Sequence, residues 1–349
     1  MAATLPSPQS EPGKARHRRK GGHASPQSDE LVTLAHGAGG KATRRLVEGL
    51  FLEELRNPLL AELGDAAVVD GIAFTTDSFV VKPLFFPGGD IGELAVNGTV
   101  NDLAVAGAEP LWLSAGFVIE EGFPLDDLRR IAHSMARAAE AAGVAVVAGD
   151  TKVVERGSAD GLFVTTAGVG RMRADFGSPR PGDRVLVSGT LGDHGFAVLV
   201  ARGDLKLEST LESDTAPLHR QTASLIELGP ALRWMRDPTR GGLATALNEL
   251  VASTGLAVRL DEQAIPIRPE VAGAAEILGI DPLYVANEGK LVAVVAPEAA
   301  DAALHRLGGD AAIVGELESD PPGLVLLDTA LGGSRIVDQL VGDPLPRIC

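Results

Sequence analysis

The sequence predicts an α/β (α+β) protein of two domains, on three observations. Its 349 residues suffice for two ordinary domains with real cores. Short β-branched runs alternate with alanine-rich stretches of helical period over most of the length. A Pro- and Gly-rich break, Ser178-Pro-Arg-Pro-Gly-Asp183, falls near the middle. The expected organisation is a disordered basic extension over 1–30, domains over 31–176 and 177–337, and an extended, mobile tail over 338–349.

The extension is rich in Pro, Ser and Gly, carries Lys14, Arg16, Arg18, Arg19 and Lys20, and lacks the apolar core of a secretory signal. Leu31–Ala35 is a short apolar run before the glycine loop His36-Gly37-Ala38-Gly39-Gly40-Lys41, and Leu46, Leu50, Phe51 and Leu55 recur at helical spacing. Ala66–Val69, Ile72–Thr76 and Phe79–Val81 read as strands. Leu125, Leu128, Ile131, Ala132, Met135 and Ala139 mark one face of a helix over 125–142. Ala145–Ala148 and Leu162–Val169 read as buried strands. Beyond the break come a strand at Arg184–Ser188, a second glycine-rich loop over 189–195, and strands at Ala257–Leu260, Leu291–Val295 and Ala312–Val314. The two prolines of Gly342-Asp-Pro-Leu-Pro-Arg-Ile-Cys349 keep the tail from continuing a helix.

Composition excludes several functions. Hydrophobic residues at 45% and charged residues at 22% describe a globular chain. No apolar run approaches the roughly 20 residues of a membrane span, so a soluble, cytoplasmic protein is expected. A net charge of −16 is opposite in sign to a nucleic-acid binder's. One cysteine excludes an intrachain disulfide, and the seven histidines show no metal-ligand spacing.

The first glycine loop fails as a P-loop, because Ala35 and Ala42 stand where Gly and Ser or Thr are needed. It satisfies a dinucleotide fingerprint loosely through Gly37, Gly39 and Ala42, with Asp70 as the acid; a plain turn is the other reading. The aspartates say more. Asp65, Asp77, Asp102, Asp150 and Asp237 lie in apolar stretches, several at strand ends, where carboxylates are costly unless paired or metal-bound. As a set they resemble a Mg²⁺ site shared with phosphate, and Arg240 of Asp237-Pro-Thr-Arg240 suits a phosphate. Lys152 and Glu288 are candidates for proton transfer, with surface ion pairs as the alternative. Cys349, the last residue of the sequence, is either an incidental thiol or a carrier on an arm.

Together these residues resemble the HypE family of carbamoyl dehydratases in nickel-iron hydrogenase maturation. The matching stretches are His36–Gly40, Thr76-Asp77-Ser, Pro83–Gly89, Asn101-Asp102-Leu-Ala, Gly149–Val154, Ser188–Gly195, Asp237–Gly242, Asn287–Lys290 and the terminal Pro346-Arg-Ile-Cys349. The glycine and aspartate motifs are shared with the wider aminoimidazole ribonucleotide synthetase superfamily. The resemblance implies an N-terminal ATP-binding, dimer-forming domain, a C-terminal α/β domain and a homodimer. ATP would be bound by Gly37, Gly39, Gly40, Lys41, Asp77, Asn101, Asp150, Thr151 and Arg240, and Mg²⁺ by Asp65, Asp77, Asp102, Asp150 and Asp237. Cys349, Lys152 and Glu288 would be catalytic. A partner carbamoyltransferase would load Cys349, ATP would activate the carbamoyl oxygen, and the resulting thiocyanate would pass cyanide to iron on a scaffold complex. The rival readings are a small-molecule kinase or synthetase of the superfamily, a non-catalytic nucleotide-binding assembly factor, and a dinucleotide-dependent oxidoreductase.

Overall fold

The computed structural model describes residues 31–37, 39–60, 64–203, 210–340, 342 and 347–349; the expected disorder of 1–30 lies outside them. Thr33–Cys349 forms one unit, and two sheets carry it. Strands β1 (Ala67–Val69), β2 (Ile72–Phe79), β5 (Ala108–Glu120), β6 (Ala145–Val154) and β7 (Leu162–Met172) make the first, in the order β1-β2-β7-β5-β6. Its neighbours are antiparallel except β5 and β6. A hairpin of β3 (Phe85–Phe86) and β4 (Gly89–Asp90) stands apart. The second sheet takes β8 (Arg184–Val187), β9 (Leu232–Arg236), β10 (Ala257–Asp261), β11 (Val292–Val295), β12 (Ala312–Glu318), β13 (Val325–Asp328) and β14 (Ser334–Ile336), ordered β14-β13-β10-β12-β8-β11-β9. Only β10 and β13 run parallel there.

The helices are α1 (Lys41–Leu46), continued through a π turn into α2 (Leu52–Glu54), then α3 (Ile91–Val105), α4 (Leu125–Ala142), α5 (Asp193–Ala201), α6 (His219–Ile226), α7 (Gly242–Thr254), α8 (Pro269–Leu278) and α9 (Ala300–Leu307). No described helix is long and apolar enough to cross a membrane.

Helix α3 sits at the centre and was not evident from the sequence. Asp90 caps it, accepting from the N–H groups of Gly92 and Glu93 (2.8 and 3.1 Å). It packs on β2, β5 and β7 and also touches α4 and α6, so it is buried on nearly every side and shows no polar stripe. Gly92 permits the close crossing of α4, for a Cβ there would lie 2.4 Å from the Ile131 oxygen. By contrast α4 is the predicted amphipathic helix, burying Ile131, Met135 and Ala139 and ending on left-handed Gly143 (φ 70°), although Leu125 and Ala132 of the expected apolar face are exposed.

Three expectations change. Leu31–Ala35 is no strand, since Leu34–Gly37 forms a 3-10 turn, and Asp70 sits in the turn between β1 and β2; the dinucleotide fingerprint lacks its strand and fails. Strand β2 runs unbroken to Phe79. The run Ala145–Ala148, expected to be a buried strand, belongs to β6, the sheet edge, and is exposed except for Val154 along the whole strand. The sheet's face away from α3 carries half-exposed Phe74 and Trp112 beside Val118.

Candidate active site

Four acids converge where α3 meets β2 and the end of β9. Asp65 precedes β1, Asp102 projects from α3, Asp237 follows β9, and Asp77 lies on β2 in phase with buried Ala73 and Thr75. Asp102 is therefore a helix residue, and Asp77, expected just after a strand, lies within one. Asp65, Asp102 and Asp237 each offer an oxygen within 4.8 Å of the others. Thr75 Oγ1 donates to Asp102 (2.9 Å), and Arg236 bridges Asp65 (2.9 Å) and Glu249 (3.0 Å). Burial raises the pKa of all four acids. Asp102 is held well above the carboxylate range, with Asp237, Asp65 and Asp77 adding to the burial effect. Asp237 is pushed up to about 7 by burial and by Asp65. Arg236 pairs with only one of the three clustered acids, and the donors are all hard oxygens, so Asp65, Asp102 and Asp237 fit a Mg²⁺ ion.

The first glycine loop lies against this site through Arg240. The Arg240 guanidinium is 3.7 Å from Asp77 and 3.4 Å from the Gly37 oxygen. A Cβ on Gly39, which has a φ of 76°, would sit 3.1 Å from Arg240. The strongest influence on Arg240 is the negative charge of Cys349, followed by burial, Asp77 and Glu288. Val80, whose N–H binds the Cys349 oxygen, lies three residues beyond Asp77, so the chain's end returns to the end of β2 that Arg240 approaches.

Glu288 precedes β11 and is buried, with Oε1 unpartnered among the described residues. Burial first, then Asp237, Asp77 and Asp214, hold its pKa well above the ordinary range. Its backbone is clamped: Glu288 N–H donates to Asp214 (3.1 Å) and its oxygen accepts from Asn101 Nδ2 (3.1 Å). Asn101, expected to bind ATP, is committed here. Its Nδ2 also donates to the Ala216 oxygen (3.0 Å) and its Oδ1 accepts from Leu218 N–H (2.8 Å).

Other expected residues fall elsewhere. Lys41 pairs with Asp338 (2.6 Å), and Gly40 caps α1 by position without a side chain. Asp150, Thr151 and Lys152 stand on exposed β6, with Asp150 bound to Lys152 (2.7 Å). Register aligns Ser78, Thr165, Gly116 and Asp150 across the first sheet. Aligned residues share a face, so Asp150 points to the face opposite Asp77, roughly 14 Å and three strand spacings away. Within one chain, then, Asp150 cannot join the metal ligands, and Lys152 and Glu288 do not meet.

Sequence reasoning missed the residues that seat the tail: Asp160, His194 and Arg202. Ile348 is buried, and the Cys349 oxygen accepts from Val80 N–H (3.1 Å). Nothing local marks these residues, because their role depends on the return of the chain's end.

Two family models match the chain: AIR synthase related protein, N-terminal domain, over residues 63–172, and the corresponding C-terminal domain over 180–326. Carbamoyl dehydratase HypE of Rhizobium leguminosarum bv. viciae is 53% identical over 334 residues, covering 91% of this chain and 95% of that one. A crystal structure of a HypE–HypF complex matches with TM-score 0.81 and 48% identity over 84% of this chain and 99% of that one. HypE solved in complex with ATP matches with TM-score 0.77 and 45% identity over 91% and 100%. The chain belongs to the carbamoyl dehydratase HypE family of AIR synthase related proteins.

Proposed function

We propose that this chain converts an S-carbamoyl group on Cys349 to a thiocyanate while consuming ATP, and so supplies cyanide for the iron of a nickel-iron hydrogenase. The observation that carries this reading is the return of the chain's end to β2, where Val80 N–H holds the Cys349 oxygen three residues beyond Asp77, itself 3.7 Å from Arg240 and next to the acidic cluster. The carbamoyl oxygen is a poor leaving group until phosphorylated. Mg²⁺ held by Asp65, Asp102 and Asp237 would offset phosphate charge. Arg240, a rigid fork of donors, would meet the charge that develops on the transferred phosphoryl group. Gly37 and Gly39, already against Arg240, bring main chain over the same volume.

Two protons must leave nitrogen as the C–O bond breaks. A buried carboxyl of raised pKa is a stronger base than an ordinary carboxylate, and Glu288 takes that role. Lys152 takes the second proton role from another copy of the chain. The exposed apolar face with Phe74, Trp112 and Val118, next to edge strand β6, is the surface through which a homodimer would form. A HypF-like carbamoyltransferase would load the thiol, and a scaffold complex would accept the cyanide. The ATP and reduced thiol this scheme needs make the cytoplasm its compartment.

Mixed dimers test the scheme. Lys152→Ala and Cys349→Ala chains should each be inactive alone, yet regain turnover when mixed, because one site then holds an intact tail and a partner lysine. No recovery in verified heterodimers would place Lys152 within its own chain's site or outside the reaction. Glu288→Gln should accept the carbamoyl group but dehydrate at least about 100-fold more slowly, read by the mass of the Cys349 peptide.

A further inference from the structure

The groove that holds the tail binds only its last three described residues, and it reads both main chain and side chain. Val80 N–H donates to the Cys349 oxygen and Lys82 N–H to the Arg347 oxygen, both at 3.1 Å. Arg347–Cys349 thus runs antiparallel to Val80–Lys82 through two main-chain bonds, with Arg347 turned into the left-handed region (φ 60°). Arg202 donates to the same Arg347 oxygen (2.7 Å) and to the Lys82 oxygen (2.9 Å). His194 Nε2 lies 3.0 Å from the Ile348 oxygen and Nδ1 2.7 Å from Ser213 Oγ. Burial lowers the pKa of this histidine and so favours its neutral form, which can donate at Nε2 while accepting at Nδ1.

Each side chain has its own partner. Ile348 is 3% exposed, in the core that includes Phe79, Val81, Phe86 and Phe196. Arg347 donates to Asp160 (2.5 Å) and to the Val80 oxygen (3.1 Å). Asp160 also binds Lys82 (2.8 Å). The loop that carries Asp160 is pinned in turn, Glu120 accepting from Gly157 N–H (2.5 Å) and Gly161 N–H (2.9 Å).

We infer that this groove recognises the sequence Arg-Ile-Cys as such, with Asp160 selecting the arginine, and that a separate peptide ending in S-carbamoylated Arg-Ile-Cys is therefore bound and dehydrated in trans. The chemistry rests on the function proposed above; the recognition does not. In the reaction the carbamoyl oxygen forms a bond to the γ-phosphorus of ATP, which breaks from ADP. The C–O bond then breaks, leaving S–C≡N and phosphate. The two N–H protons end one on phosphate and one in solution.

The test uses the full-length chain with its own tail disabled by Arg347→Ala, Ile348→Ser and Cys349→Ala. A fluorescein-labelled hexapeptide ending in Arg-Ile-Cys should bind saturably by anisotropy, and a version with Gln for Arg about tenfold more weakly. Adding Asp160→Asn should erase that preference, and Asp160→Glu should restore part of it. Absence of binding, or an arginine preference that survives Asp160→Asn, overturns the recognition. The carbamoylated peptide with MgATP should then lose one water by mass. If the wild-type chain dehydrates its own carbamoylated Cys349 but the bound peptide stays intact, activity in trans is refuted. If the peptide binds and neither adduct is dehydrated, the recognition stands and the carbamoyl reading falls. Should the triple variant not fold, alkylation of Cys349 by iodoacetamide in the otherwise wild-type chain decides the recognition. Asp160→Asn should speed it severalfold, as should free Pro-Arg-Ile-Ser peptide; unchanged rates overturn the proposal.

Discussion

Asp237 shows how one carboxyl can report on a whole site. With its pKa near 7, it holds a proton over part of the neutral range, and a metal ion must displace that proton to bind. Mg²⁺ affinity should therefore rise as pH increases from about 6 to about 8, with proton release at the lower pH. Calorimetric titration in two buffers of different ionisation enthalpy measures this. Equal heats in both buffers near pH 6 would show that Asp237 is not a ligand. The convergence of Asp65, Asp102 and Asp237 was legible in the sequence, because charge inside apolar runs demands a reason, whereas Asp150 carried the same signal and lies on exposed β6. An amide near a motif can serve a ligand or the backbone, and the side chain of Asn101 holds three main-chain partners, Ala216, Leu218 and Glu288. His194 stood out only as part of the stretch Ser188–Gly195, and its role at the tail was not legible, since Ile348 lies 154 residues away.

At the scale of elements, legibility followed exposure. Helix α4 has a wet face and a dry face, and its period announced it; α3 is dry nearly all round, and the same test was silent. Strand β5 escaped notice because Pro110 opens it at a register shift. Strand β6 was found but given the wrong environment, because apolar content alone does not tell a central strand from an edge awaiting a partner. The α3–α4 crossing depends on Gly92. Gly92→Ala should lower stability by about 1–3 kcal/mol or more, as overpacking does, read as a fall in the denaturation midpoint at unchanged slope. An unshifted midpoint would mean the helices separate freely.

For the whole molecule, the largest unresolved demand is the apolar face beside β6. Monomers rarely leave such a patch open, so Trp112→Asp should yield monomers in light scattering, with the loss of turnover that separation from the partner's Lys152 entails. A variant that stays dimeric would put the interface on another surface. The seated tail also sets a thermodynamic condition on delivery. Burying one isoleucine side chain stabilises by about 1.5–3 kcal/mol, so Ile348 alone biases the chain toward its docked form by roughly 10- to 150-fold. Any protein that handles the thiol outside must match that bias with its own contacts to the tail. An enzyme that held its tail more tightly would gain occupancy at the reacting site and lose speed in handing over its product.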